Sequence, residues 1–143
     1  MNPTFSLATK HDLPTLSNLL GEMFNSSSYQ YKDAIEGFLK TNSKYYYIVK
    51  IENEIIGMTI IHYWKPTPKP GKLDRTYWHL SNLYIKPEYR GQNIGSDFLN
   101  YIYVEAKKQN VEKILTFAGG NHGKFFISHG FQDKNTLLLK KLA

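Results

Sequence analysis

Residues 84–99 read YIKPEYRGQNIGSDFL. Apolar strand residues end at Ile85, Pro87 marks a turn, Arg90 to Gly95 form a basic loop with two glycines, and the apolar spacing of a helix follows. A strand that passes through such a loop into a helix leaves consecutive backbone N–H groups unpaired at the helix N-terminus. Those donors and the helix dipole attract anions. A side chain at Gly91 or Gly95 would either demand an unfavourable φ or block the close approach of a pyrophosphate. Arg90 adds a fixed positive charge. A strand-to-helix turn that uses its glycines for geometry alone needs the same residues, so the loop in isolation leaves both readings open. Two better-known phosphate motifs are missing from the sequence. There is no GxxxxGK[ST], and no GxGxxG followed by an acidic residue about twenty positions later, which argues against ATP and NAD sites.

The frame around this loop is that of one domain spanning residues 1–143, long enough to bury well over half of its unfolded surface. The chain has no cysteine, which excludes disulfides, thiolate metal sites and a cysteine nucleophile. Its five histidines (His11, His62, His79, His122 and His129) show no HxxxH or HxxE pairing on an expected helix, so no metal site is expected. The start MNPTFSLATKHDL lacks a basic segment followed by an apolar one, and no apolar run approaches the ~18 residues of a membrane span. A soluble, cytoplasmic protein with no membrane partner is the expectation. The net charge of +6 points to an anionic partner without choosing among nucleic acid, lipid headgroups and a phosphorylated cofactor. Aromatic residues make up 15% of the chain, and a basic, aromatic-rich domain could stack bases on its tyrosines. Many of these aromatics occupy apolar strand and helix positions, where core packing is the ordinary explanation, so nucleic acid is not the expected partner.

Along the chain, TFSLAT reads as a strand and TKHDLPTLSNLLGEMF as a helix with Thr9 as N-cap and Asp12 at N3. Leu13, Leu16, Leu19, Leu20 and Phe24 follow helical spacing and should face the core. NSSSYQ is a polar loop and YKDAIEGFLK a second, shorter helix. KYYYIVKIENEIIGMTIIHYW gives two strands around a turn at Glu52-Asn53-Glu54. KPTPKPGKLDR, with three prolines, excludes regular structure. In the second half TYWHLSNLYI is a strand, residues 95–109 a helix, KILTFA a strand, GKFFISHG a short helix, and FQDKNTLLLKKL ends in a last strand. The strand–helix–strand order implies a right-handed crossover with a parallel pair, and hence a mixed α/β sheet.

NLYIKPEYRGQNIGSDFL resembles the acyl-CoA-binding signature of the GNAT superfamily of N-acetyltransferases. That pattern, [QR]-x-x-G-x-[GA], is read here as Arg90-Gly91-Gln92-Asn93-Ile94-Gly95. The FSLATKHDLPTL start, the IENEIIG hairpin and the NHGKFFISHGF close extend the resemblance along the chain. It implies a mixed, mostly antiparallel twisted sheet, with a central parallel strand pair splayed around the cofactor site and about four flanking helices. It also implies acetyl-CoA as co-substrate and transfer of its acetyl group to a primary amine by direct attack. Two departures stand out. Asn93 replaces the family's first glycine, and Asn visits left-handed conformations at modest cost. Phe126 stands where many relatives carry a tyrosine whose hydroxyl can protonate the departing thiolate.

The resemblance assigns cofactor binding to Leu83, Tyr84 and Ile85, whose backbone would hold the pantetheine arm and polarise the thioester carbonyl, and to Arg90, Gly91, Gln92, Asn93, Ile94, Gly95 and Ser96 around the pyrophosphate. Asn121 would bond cofactor amides, or serve as an ordinary helix N-cap, and Phe126 lies beside the cofactor. For the base, His79 sits on the strand six residues before Ile85, where some relatives carry a glutamate, and an imidazole pKa near 6.5 suits the task. A histidine hydrogen-bonded within the sheet is the plainer reading of the same residue. Tyr29, Tyr31, Tyr77 and Tyr84 are further proton carriers that no spacing separates. The acceptor should be chosen by MFNSSSYQY and by the loop at residues 65–75, since loops on a scaffold usually carry specificity. A small amine, an amino-acid-like molecule and a protein N-terminus or lysine all remain open, polycations are disfavoured, and a homodimer is allowed. The rivals are a non-catalytic acyl-CoA sensor, which Phe126 makes plausible, and a nucleic-acid-binding domain with steep salt dependence.

Overall fold

Two long strands, β2 (Lys44–Ile51) and β3 (Glu54–Trp64), carry the chain's densest runs of β-branched and aromatic residues and form the middle of the sheet. They belong to a computed structural model that describes residues 2–24, 37–38, 40, 44–118, 120–134 and 137–142. The turn between them places Glu52 and Asn53 at φ 52° and 68°, the left-handed pair of a tight hairpin. β1 (Thr4–Leu7) pairs antiparallel with β2, and β4 (Tyr77–Ile85) pairs antiparallel with β3. β5 (Lys113–Leu115) runs parallel to β4. The order β1-β2-β3-β4-β5 makes the sheet mixed, as expected, but the parallel pair lies at one edge of the described sheet rather than at its centre.

Each face of the sheet is covered by helix. α1 (Leu13–Met23) follows a 3-10 turn at Lys10–Asp12, where the Asp12 carboxylate accepts from the Thr9 N–H at 2.7 Å and from its hydroxyl at 3.2 Å. Its Leu16, Leu19 and Leu20 are buried against Ile48, Ile55, Met58 and Ile60, and Leu13 packs at the margin of that cluster. Phe24 does not join them. At 61% exposure it lies past the last turn of α1, and Met23 packs against the cluster instead. α2 (Ile94–Lys108) covers the opposite face, where Ile94, Phe98, Leu99, Ile102 and Ala106 meet Tyr47, Val49, Ile51, Ile56, Ile61, Trp78 and Leu80. α3 (Gly120–Ser128) adds Phe126 to the same core.

Three expectations change. Among the described residues there are three such helices, not about four, because most of YKDAIEGFLK lies outside them; Gly37, Phe38 and Lys40, which are described, are helical. The expected strand in FQDKNTLLLKKL is absent from its described residues, and Leu137, Leu138, Leu139 and Leu142 are exposed. A further strand needs a row of backbone partners, and β5 offers an edge of three residues before the chain leaves the ladder at Thr116. KILTFA accordingly contributes a shorter strand than its composition indicates.

The connection from β3 to β4 is irregular, with one isolated bridge between Lys69 and Lys72, and a half-buried ion pair fixes its path. Arg75 donates to both oxygens of Glu112 at 3.1 and 3.2 Å, to the Thr67 carbonyl at 2.6 Å and to the Tyr77 hydroxyl at 2.9 Å. Hydrogen bonds from Arg75 and its charge hold the Glu112 carboxyl down from the ordinary 4.5 to about 2. The unfolded chain therefore binds more protons between those values, so this contribution is complete above pH 4.5 and is lost as the pH falls towards 2. Glu112→Gln is expected to lower the thermal midpoint near neutrality, with the gap to the parent protein closing on acidification. A gap of constant size from pH 7 to acid would show that the charge of Glu112 contributes nothing.

Candidate active site

The site is built where β4 parts from β5. Their ladder runs from Tyr77↔Lys113 to His79↔Leu115 and stops, while β4 continues to Ile85. The Thr116 hydroxyl donates to the Leu80 carbonyl at 3.0 Å, and from there the β4 edge has no strand beside it among the described residues. At about 3.3 Å per residue the open edge spans on the order of 20 Å, room for an extended arm carrying two amides.

A β-bulge re-aims this edge. The β3–β4 register passes from Met58↔Tyr84 to Ile60↔Ser81, so Asn82 and Leu83 together face Thr59, and Asn82 takes φ 55°. The buried Thr59 hydroxyl donates to the Ser81 carbonyl at 2.9 Å and holds the bulge in place. Its effect is to change which side chains face which way. Trp78 and Leu80 before it, and Leu83 and Ile85 after it, all pack towards the α2 face, whereas Tyr84 packs towards α1. The Tyr84 hydroxyl lies 3.3 Å from a Glu22 oxygen and donates to it, and its pKa is raised, first by burial and then by that carboxylate. Tyr77, another expected proton carrier, accepts from Arg75, while Tyr29 and Tyr31 lie outside the described residues.

Beyond Ile85 the chain makes a 3-10 turn at Pro87–Tyr89 and enters the loop before α2. Gly91 has φ 79° with open space where a Cβ would stand, and Asn93, just before the helix, has φ 63°. Asparagine thus carries the left-handed position that a glycine could have filled. Gly95 is helical, and a Cβ there would meet only the Phe125 ring, at 3.7 Å. Gly91, Gln92 and Asn93 are exposed, and Gly95 and Ser96 in the first turn of α2 are half-buried, so small residues surround the helix N-terminus, where an anion is favoured. Arg90 donates from Nε to the Ile85 carbonyl at 2.8 Å and lies 5.4 Å from the Tyr84 ring, so its guanidinium ties the end of β4 to the loop. Gln92 is exposed and Ile94 is buried beneath the loop.

The remaining expected residues separate. Asn121 lies in the first turn of α3. Phe126 is buried, edge-on to Phe125 and Phe131 with ring centroids 5.4 and 5.2 Å away. The Ser96 hydroxyl is bonded to His129 at 2.8 Å. MFNSSSYQY lies mostly outside the described residues; the loop at 65–75 leaves β3 after Trp64 and returns at Tyr77, next to the start of the β4–β5 ladder.

His79 stands at the last rung before the splay, and it is not alone. His62 is its cross-strand partner on β3, with ring centroids 5.4 Å apart and planes inclined by 23°. Lys44 is the partner of His62 on β2, so Lys44, His62 and His79 form a row across three strands. Phe117 closes one end, 5.0 Å from His79, and Phe38 lies 6.0 Å from His62. Burial lowers the pKa of both histidines, and for His62 the proximity of His79 and of the Lys44 ammonium lowers it further, so both sites favour the neutral ring. Among the described residues the contacts of both rings are with other rings. Sequence reasoning missed His62 because its pairing with His79 depends on the path of residues 65–76.

The model of the acetyltransferase (GNAT) family matches residues 13–131. Among solved structures, a predicted acetyltransferase from Clostridium acetobutylicum, solved with acetyl-CoA, has TM-score 0.83 at 20% identity, covering 99% of this chain and 97% of that one. The ribosomal-protein-alanine N-acetyltransferase of Brucella melitensis biovar Abortus has TM-score 0.78 at 13% identity, covering 98% and 99%. Glucosamine-6-phosphate N-acetyltransferase from Arabidopsis thaliana has TM-score 0.72 at 12% identity, covering all of both chains. No curated protein sequence matches. No helix among the described residues is long and apolar enough to cross a membrane. The splayed strand pair, the loop before α2 and the family match across most of the sequence agree, and the chain belongs to the GNAT acetyltransferase family.

Proposed function

We propose that residues 1–143 act as one acetyltransferase domain that moves the acetyl group of acetyl-CoA onto a primary amine by direct attack of the amine on the thioester. The observation that carries this reading is the opening of β4 from β5, which begins at His79 and ends at the loop before α2. The first turn of α2 and the Arg90–Gly95 loop would hold the pyrophosphate, and the backbone of Leu83 to Ile85 the arm. Acetyl-CoA supplies an acetyl group already activated as a thioester. His79 is assigned the removal of the ammonium proton, directly or through water, since burial lowers the pKa of its ring and favours the neutral form that accepts a proton. The acceptor is a primary amine; two structural neighbours act, by their names, on a ribosomal protein's alanine and on an amino sugar phosphate.

The acyl-CoA sensor remains the second reading, and Phe126 favours it. The position that often carries the proton-donating hydroxyl is here a buried phenyl ring. The deciding experiment is acetyl-CoA turnover over a panel of small amines, amino acids, amino sugars and peptides, followed by free thiol release. Amine-dependent thiol release is expected for at least one class. Acetyl-CoA binding without amine-dependent release across the panel would establish the sensor instead.

A further inference from the structure

His129 follows α3, and its ring reaches back to the first turn of α2. Nδ1 lies 2.8 Å from the Phe125 carbonyl oxygen, and Nε2 lies 2.8 Å from the Ser96 hydroxyl. Ser128 donates to the same carbonyl at 2.7 Å and stands 3.0 Å from Nδ1. A carbonyl only accepts, so Nδ1 carries the proton of the neutral ring and Nε2 is an acceptor. The Ser96 hydroxyl therefore gives its one proton to His129. Around the ring, the Phe125 side chain lies 4.5 Å away between centroids, and from α2 the Tyr103 hydroxyl donates to the His129 backbone carbonyl at 2.6 Å. No carboxylate among the described residues forms an ion pair with the ring.

A second proton reverses the Ser96 contact. Both nitrogens of an imidazolium donate, so the Ser96 oxygen must accept from Nε2 and its own proton is free to turn towards another acceptor. We propose that His129 is a positioning residue of the pyrophosphate cradle: neutral, it holds the Ser96 hydroxyl away from the phosphate, and protonated, it releases that hydroxyl to the phosphate and places a positive charge behind it. CoA binding is then linked to proton uptake, and by reciprocity a bound pyrophosphate strengthens proton binding at His129 by the same factor. This rests on the Arg90–Ser96 segment being the cradle.

The probe is dephospho-CoA, which keeps the pyrophosphate but lacks the phosphomonoester that itself titrates near pH 6. Its affinity is measured by calorimetry at about pH 5.5 and about pH 8, the range over which histidine changes charge. The native protein is expected to bind about 10-fold more tightly at the lower pH, within the usual range of coupling between sites. His129→Gln, whose side chain can accept from Ser96 but takes up no proton, is expected to lose that ratio. Ser96→Ala, which keeps the ring, should retain only the part due to charge, and it decides the matter if the glutamine variant folds poorly. A pH-independent affinity in the native protein overturns the inference, as does a ratio that His129→Gln retains in full. So does an equal weakening at both pH values, the mark of a purely structural role. Absence of dephospho-CoA binding at either pH overturns the cradle reading itself, and the inference with it.

Discussion

Gly95→Asp is expected to weaken acetyl-CoA binding by about 10²-fold or more while leaving the thermal midpoint unchanged or raised. Gly95 is the second residue of α2, and its φ lies outside the left-handed region, so a side chain meets no backbone strain. A Cβ would sit at ordinary contact distance from the Phe125 ring. Alanine should therefore fit, gain the helix preference of about 0.5–1 kcal/mol over glycine, and keep its affinity, as the family pattern allows either residue. Aspartate in a first turn complements the helix dipole by about 0.3–1 kcal/mol, which supports the fold. The same carboxylate competes for the N–H groups that a pyrophosphate needs, and repels it. Losing two hydrogen bonds to a charged group at about 1.5–3 kcal/mol each gives the stated factor. Calorimetry with acetyl-CoA and a parallel melting curve check it. Native affinity in a folded aspartate variant would place the pyrophosphate elsewhere.

Much of the loop before α2 was legible because its geometry is local. A strand end, a proline turn and a helix start are each set by neighbours in sequence, and Asn93 at φ 63° is the substitution that the backbone tolerates best. The β2–β3 hairpin and the leucine face of α1 were legible for the same reason, since the period of the apolar residues declares the face. Phe24 fits that period and still lies in solvent, because the helix stops before it can turn inward.

The bulge left a trace that was not read. Trp78 and Leu80 have one parity and Leu83 and Ile85 the other, yet all four pack towards the same face. A change of phase inside an alternating strand, with an asparagine at the break, implies an inserted residue there. The histidine pair left no such trace, because register across an irregular connection of this length depends on the Arg75–Glu112 staple rather than on a turn motif. The tail failed differently: TLLLKKL has strand composition, but a strand also needs an edge, and composition says nothing about the length of β5.

His79→Ala is expected to lower kcat/KM by about 10²- to 10⁴-fold, the range for removing a general base, and to abolish a limb in its pH profile. The sign follows from the chemistry. The neutral ring accepts the proton, so kcat/KM rises as the pH rises through the apparent pKa and levels off above it. Burial disfavours the imidazolium, so the limb should lie below 6.5 rather than around neutrality. His62 sharpens the test. It stacks on His79, and its pKa is lowered by burial, by repulsion from His79 when both rings are protonated, and by Lys44, so once His79 is replaced that repulsion is gone and His62 takes up a proton more readily. Any residual limb in His79→Ala should then vanish in the double variant with His62→Gln. The amine's own ionisation can imitate such a limb, which an acceptor series of graded amine pKa separates. A limb that moves with the acceptor belongs to the substrate, and one that stays fixed belongs to the protein. Should His79→Ala keep the native rate and profile while remaining folded, proton removal passes to ordered water along the open edge of β4, and the histidine row is packing.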